Sequence, residues 1–347
     1  MKNINTFINE ARQKASILDL KDALKKTPAQ VNKEIKAEIK AWLEENYYEG
    51  KRCKISAKPN ADGLFEVTYV NPKKPLKQTN EAKNVTNGKF IFTEVQGTFV
   101  IGNSCEDVTG LPLIIKGDLV CSSKNLRSFA GAKTERVTGY VSTNHCQLDS
   151  FEGFPKSVGK LIVEYAKIKD FSGIGPVSIG SIEVFAVNDF ENLKGLEDAN
   201  IGHIKIANCK NFESFEGFPT NSSAMNKDRE ILTYMGEFGG VAGGSIEVYN
   251  APKLKSIAPI ASVGNSIELK QCVQINFDSY KGLKHVSELT VFASKTWDSN
   301  PEFLEFLDNL VENGVNGREA IGAAFKEEII KRSNLQPDSI DNVFVIW

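Results

Sequence analysis

SFEGFP stands at residues 150–155 and returns unchanged at 214–219. The hexapeptide holds no nucleophile–base pair, no metal-ligand set and no phosphate-binding glycine pattern. Its information lies in the interval of 64 residues, which is three units of about 21.

Working outward, the small residues that open successive units are Gly97, Gly117, Gly139, Gly159, Gly180, Gly202, Gly244, Asn265 and Ser287. Their spacings are 20, 22, 20, 21, 22, 42, 21 and 22, the 42 being one unit plus an insertion near 222–241. Two and four residues after each opener comes an apolar pair, from Phe99/Ile101 through Leu161/Val163 to Leu289/Val291. Thr143 is the one polar member. Alternation with period two marks a strand with one buried face. Nine or ten residues after the opener stands a further apolar residue, as at Leu126, Leu148, Ile168, Phe190, Phe212, Leu254 and Ile275. Three residues on comes another, as at Phe129, Phe151, Phe171, Leu193, Phe215 and Ile257, and a glycine such as Gly153 or Gly217 then turns the chain. A single short strand cannot bury its own apolar face, so the units predict parallel strands stacked into a solenoid.

Composition fits a soluble globular chain: 41% hydrophobic, 25% charged, net charge −2 over 347 residues. Residues 1–83 carry 17 Lys+Arg against 11 Asp+Glu (+6), and the rest carries 25 against 33 (−8). That balance argues against nucleic acid as the main partner. No run of 18 apolar residues predicts a membrane span, and the N-terminus lacks the apolar segment of a secretory signal. The chain is therefore expected to be made and kept in a reducing cytoplasm. The six cysteines form no CxxC pair. Cys146, Cys209 and Cys272 recur 63 residues apart at places where other units have Ala166, Val187 and Ala251, which reads as small side chains packed at a corner.

The flanks differ from the repeat. Residues 16–50 read as helical, with a capping box at Thr27-Pro28-Ala29-Gln30, a stripe of Val31, Ile35, Ile39, Trp42 and Leu43, and Gly50 as the stop. Extended runs at 53–57 and 64–70, joined by Pro59-Asn60-Ala61-Asp62-Gly63, predict a hairpin. Residues 71–84 read as a linker. After the last repeat strand, a helix opens at Asn300-Pro301 and ends near Gly314; a second runs through Ile321–Ile330, and 343–347 is strand-like. The division expected is an α+β head (1–83), a solenoid (84–296) and a helical C-terminal cap (297–347).

The strand pairs, with L-x-S-F-x-G-x-P segments such as 148–155, resemble divergent leucine-rich repeats of period near 21 found in phage and bacterial proteins. The resemblance covers about 97–296 and implies an α/β repeat solenoid of stacked parallel strands. The usual ladder Asn is missing from most units and Phe often replaces Leu, so a parallel β-helix cross-section stays open. The first residues, MKNINTFINEA, resemble the head-targeting leader of internal proteins in T4-like phages. That resemblance implies cleavage between Glu10 and Ala11.

Catalytic patterns are scarce. The sequence lacks G-x-x-x-x-G-K-[ST], HExxH and G-x-S-x-G, and His145, His203 and His285 have no carboxylates at metal-ligand spacing. Glu152 and Glu216 are copies three units apart, too distant for a glycosidase pair. No cofactor or metal is expected. Partner-binding candidates are Lys227, Asp228, Arg229, Tyr234 and Phe238 in the insertion, and Glu183, Lys205, Glu247 and Glu268 on the outward strand positions. The expectation is a non-enzymatic protein–protein interaction scaffold of a phage virion or head, with a phage or host protein as partner. Two alternatives stay open: an effector binding a host protein in the cytoplasm, and a β-helix enzyme acting on polysaccharide through carboxylates in the insertion, Asp228 and Glu230.

Overall fold

The computed structural model describes residues 26–219, 244–258, 260 and 262–347. They form a parallel β-solenoid of about nine turns with a period near 22 residues. Its strands in chain order are β1 (Lys54–Ile55), β2 (Phe65–Val70), β3 (Leu76–Lys77), β4 (Phe90–Gln96), β5 (Phe99–Ile101), β6 (Ile114–Lys116), β7 (Leu119–Cys121) and β8 (Arg136–Ser142). They continue as β9 (Ser157–Glu164), β10 (Ser178–Phe185), β11 (Asn200–Ala207), β12 (Ser245–Tyr249), β13 (Ser262–Lys270), β14 (His285–Phe292) and β15 (Ile340–Ile346).

Early turns carry two strands each, in the ladders β2-β4-β6 and β3-β5-β7, and the two ladders merge at β8. The merger point is the opener glycine. A Cβ on Gly117 would lie 2.5 Å from Gly97 carbonyl atoms, one on Gly159 2.7 Å from Gly139 O, and one on Gly202 2.5 Å from Gly180 O. Backbone therefore packs directly on backbone at these three positions, and hydrogen is the only side chain that fits there. In the later turns Asn265 and Ser287 take the same place and hydrogen-bond to Ser245 Oγ and Gly264 O. Beyond it, Leu76, Phe99, Leu119, Val141, Leu161, Ile182, Ile204, Ile246, Ile267, Leu289 and Val343 stand opposite one another, turn after turn. All are buried, and they form the core column that the apolar pairs foreshadow. Thr143 also points inward; its hydroxyl lies 3.5 Å from the Ile162 carbonyl, which satisfies the one polar group in the series.

The third side of each turn has no regular strand, yet it too is hydrogen-bonded from turn to turn. Phe151 N donates to Ser172 O, Phe171 N to Lys194 O and Leu193 N to Glu216 O, each at 2.8 Å. Both SFEGFP copies take the same shape here. Ser150 Oγ accepts from Glu152 N and Ser214 Oγ from Glu216 N, both at 3.3 Å. The two phenylalanines of each copy are buried, and Gly153 and Gly217 adopt φ of 78° and 89°. The repeated hexapeptide is one turn written twice.

At the N-terminal end, helix α1 (Pro28–Asn46) starts with the capping box between Thr27 and Gln30. It buries Ile39 and Leu43, while Trp42 packs edge-on against Phe90 at 5.6 Å; Val31 at the helix start is exposed. Gly50 does not end it. Tyr47 leaves the helix in extended conformation because its ring is buried among Phe92 and Phe99 and its hydroxyl donates to Val85 O at 2.9 Å. The hairpin forms as β1 antiparallel to β2. Residues 71–84 differ from the linker expectation: they contain β3, which pairs in parallel with β5 and buries Leu76.

At the other end stand α2 (Pro301–Glu312) and α3 (Arg318–Ser333), with Gly314 in left-handed conformation after α2. Phe277, Phe303, Phe306 and Phe325 interlock there with centroids 4.9–6.1 Å apart. The strand-like tail is β15, a further parallel rung on β14.

Candidate binding surface

The outward positions of the strands line up as strictly as the inward ones. Glu183 stands opposite Lys205, Lys205 opposite Glu247, and Glu247 opposite Glu268. Going the other way the same row reads Ile162, Ser142, Val120 and Val100. One face of the solenoid thus passes from apolar to charged along its axis. Lys160 Nζ sits 2.8 Å from Glu183 and Lys205 Nζ 3.1 Å from Glu247. The hydrogen bond and charge of Glu247 push the Lys205 pKa up. His203 Nε2 lies 3.8 Å from Glu247, but burial pushes its pKa down, so the ring is neutral near pH 7. Glu268 makes no ion pair within 4.0 Å among the described residues. With one lysine and three glutamates, the row carries a net charge of −2.

The remaining sequence candidates fall elsewhere. Glu10, Ala11, Lys227, Asp228, Arg229, Tyr234 and Phe238 lie outside the described residues, as does Glu230. Glu152 and Glu216 are exposed on third-side turns three turns apart, the latter 3.2 Å from Lys194. His285 approaches Asp341 at 4.0 Å. Among the described residues, no three His, Cys, Asp or Glu side chains come together in a way that would hold a metal ion. No described helix is long and apolar enough to cross a membrane.

Cys146, Cys209 and Cys272 are buried at their corner, with sulfurs 3.3, 3.5 and 3.6 Å from backbone carbonyls. Burial pushes their thiols up to about 12, 11 and 12 respectively. A thiol held that high supplies almost no thiolate at neutral pH, so these are packing groups.

One feature is invisible in the alignment of openers. After the second inward residue six consecutive turns pass a corner in left-handed conformation, at His145, Tyr165, Ala186, Asn208, Asn250 and Gln271, with φ of 49–58°. Asparagine suits this conformation; bulky Tyr does not. His145 and Tyr165 nevertheless occupy it in adjacent turns, stacked with centroids 5.2 Å apart and planes 13° from parallel. Phe185, in the next turn, meets Tyr165 edge-on at 6.0 Å. Further along the same ridge Lys270 Nζ is 3.4 Å from the Trp297 ring centre and 5.3 Å from that of Tyr249. The second aromatic group is thus filled by the protein's own ammonium, whereas among the described residues no cation sits over the first.

Compared with known proteins, the chain matches no family model, no curated protein and no solved structure.

Proposed function

We propose that this chain is a non-enzymatic protein–protein interaction scaffold whose partner docks on the outward face of the sheet. The observation that carries the reading is the register-locked row Glu183, Lys205, Glu247 and Glu268, flanked by the outward Ile162 and Val120. Parallel stacking fixes these side chains at constant spacing on a rigid backbone, so little order has to be gained on binding. The excess of carboxylate suits a partner with a basic patch. The leucine-rich-repeat likeness of the sequence supports the same use, since such solenoids present extended surfaces.

Charge reversal tests it. The triple variant Glu183→Lys, Glu247→Lys, Glu268→Lys is expected to lose captured partner by about tenfold or more in pull-downs from infected or expressing cells. Its Tm should fall, because the new lysines face Lys160 and Lys205 across the ladder. The neutral triple variant Glu183→Gln, Glu247→Gln, Glu268→Gln avoids these like-charge contacts and should keep a Tm near that of the parent while still losing capture. Equal capture by parent and variant would refute the docking face.

The setting we propose is a bacteriophage virion or head. It rests on the resemblance of residues 1–11 to a head-targeting leader and on the basic balance of residues 1–83. Mass spectrometry of the protein from mature particles is expected to find Ala11 as the first residue. A chain that still begins at Met1 in those particles would remove the support of the leader.

A further inference from the structure

A carboxylate-rich face calls for a basic partner, and this chain carries a basic patch of its own at the other end of the same row. We infer that the partner of the outward face, the reading on which this step rests, is a second copy of this chain, laid face to face and antiparallel.

The row is longer than its charged part. Before Val100 it continues to Lys77, the neighbour of Val100 on β3. Tyr47 bridges Gln78 antiparallel and Tyr48 N donates to Lys77 O at 3.1 Å, so Tyr48 is the first member of the row. At the far end Glu268 stands opposite Thr290, and Thr290 opposite Phe344. Tyr48 and Phe344 are 61% and 51% exposed. Cations crowd the first end: residues 47–55 and 71–78, joined by that bridge, hold six Lys+Arg against one Glu, a net of +5. The one carboxylate, Glu49, lies between Arg52 at 2.7 Å and Lys74 at 3.4 Å, while Lys51, Lys73 and Lys77 reach into solvent.

Along the axis the face therefore runs aromatic, cationic, apolar, anionic, aromatic, with Val100, Val120 and Ile162 partly exposed in the middle. Reversed, it runs aromatic, anionic, apolar, cationic, aromatic. An antiparallel copy thus sets cations over carboxylates and the apolar middle over itself, whereas a parallel copy would set like charges together. Each contact occurs twice, as a two-fold axis requires, so the assembly closes at two chains. The size agrees as well. From Lys77 to Glu268 the row climbs eight rungs, and a long strand such as β9 turns Lys160, Ile162 and Glu164 outward. At about 4.8 Å per rung and about 6.8 Å between alternate residues, the face measures roughly 38 by 20 Å. That is close to the ~800 Å² that each partner gives to a standard specific interface.

Sedimentation equilibrium of the purified full chain tests it, with the fold of every variant checked by circular dichroism. The parent is expected to be a dimer in low salt, with a Kd that rises about tenfold or more in high salt as exposed charges are screened. Two variants reverse the two ends: Lys51→Glu, Lys73→Glu, Lys77→Glu at the head, and Glu183→Lys, Glu247→Lys, Glu268→Lys in the row. Each alone sets like charges across the interface and is expected to weaken dimerisation about tenfold or more. Mixed in equal amounts they restore opposite charges at both contacts, and a heterodimer is expected with a Kd near that of the parent. Should the reversed row unfold, Glu183→Gln, Glu247→Gln, Glu268→Gln must still weaken the dimer. A parent that stays monomeric in low salt overturns the proposal, as does a dimer that neither end's variant weakens, or a mixture of folded variants that fails to associate. A monomeric parent whose capture of another protein falls on row reversal leaves the docking face standing and removes the second copy.

Discussion

Replacing Gly153 by alanine is expected to cost about 3–5 kcal/mol of stability, far more than the same change at Gly175. Both glycines adopt left-handed backbone, with φ of 78° and 66°. A Cβ at Gly175 meets nothing within 4 Å, whereas one at Gly153 would lie 2.0 Å from Phe129 O and 2.6 Å from Phe129 C in the turn below. Gly175→Ala therefore isolates the backbone penalty of about 1–2 kcal/mol for an L-residue in this conformation. The surplus at Gly153 measures how closely two turns press together, because the obstacle is backbone and has no rotamer to escape into. Gly217, the same position in the second SFEGFP copy, faces Leu193 O at 2.3 Å and should behave alike. Denaturant titrations with matched slopes give the comparison directly. If Gly153→Ala and Gly175→Ala shift the midpoint equally, the turns are not in contact at this side and the solenoid is looser than described.

That glycine also shows what a sequence can disclose. Gly153 and the openers recur because a geometric constraint recurs, and a constraint repeated at constant interval leaves a period in the chain. The inward column from Phe99 to Leu289 was legible for the same reason, as were the capping box at Thr27 and the hairpin before Val70. Periodicity fails where the constraint is absent. Leu76 and Val343 are full members of the column, yet Lys74 and Asp341 stand at their opener positions, two residues before each. At β15 the 54 residues from Ser287 to Asp341 also hold α2 and α3, so no spacing points to a rung there. The outward row was legible by counting, and the structure adds the register that joins it. The corner of His145 and Tyr165 was not. Its left-handed backbone is hinted at by Asn208, Asn250 and His145, residue types that tolerate positive φ, but nothing in the letter Y suggests it.

Phe190 is the place where the stack should break most readily. It lies fully buried between Phe171, whose ring meets it edge-on at 5.5 Å, and Phe212, stacked on it at 5.6 Å with planes 6° apart. Phe151 and Phe215 extend the run at 5.4 and 5.2 Å from their neighbours, so five rings pack continuously through the third side. Phe190→Ala removes the central member. A core Phe→Ala change costs about 3–5 kcal/mol, and the rings above and below each lose a pair worth about 0.5–1.5 kcal/mol of that. Leucine, which refills most of the space, should cost less than half as much. The form of the transition matters more than its midpoint. Each turn of a solenoid touches only the next, so stability is a sum of turn and interface energies. Weakening one interface near the middle lets the turns before and after it unfold apart. Phe190→Ala is therefore expected to broaden denaturant unfolding and lower its apparent slope, while Phe190→Leu keeps a single sharp transition. A sharp two-state curve for the alanine variant, shifted by less than about 1 kcal/mol, would mean that the aromatic run does not bind the two halves together.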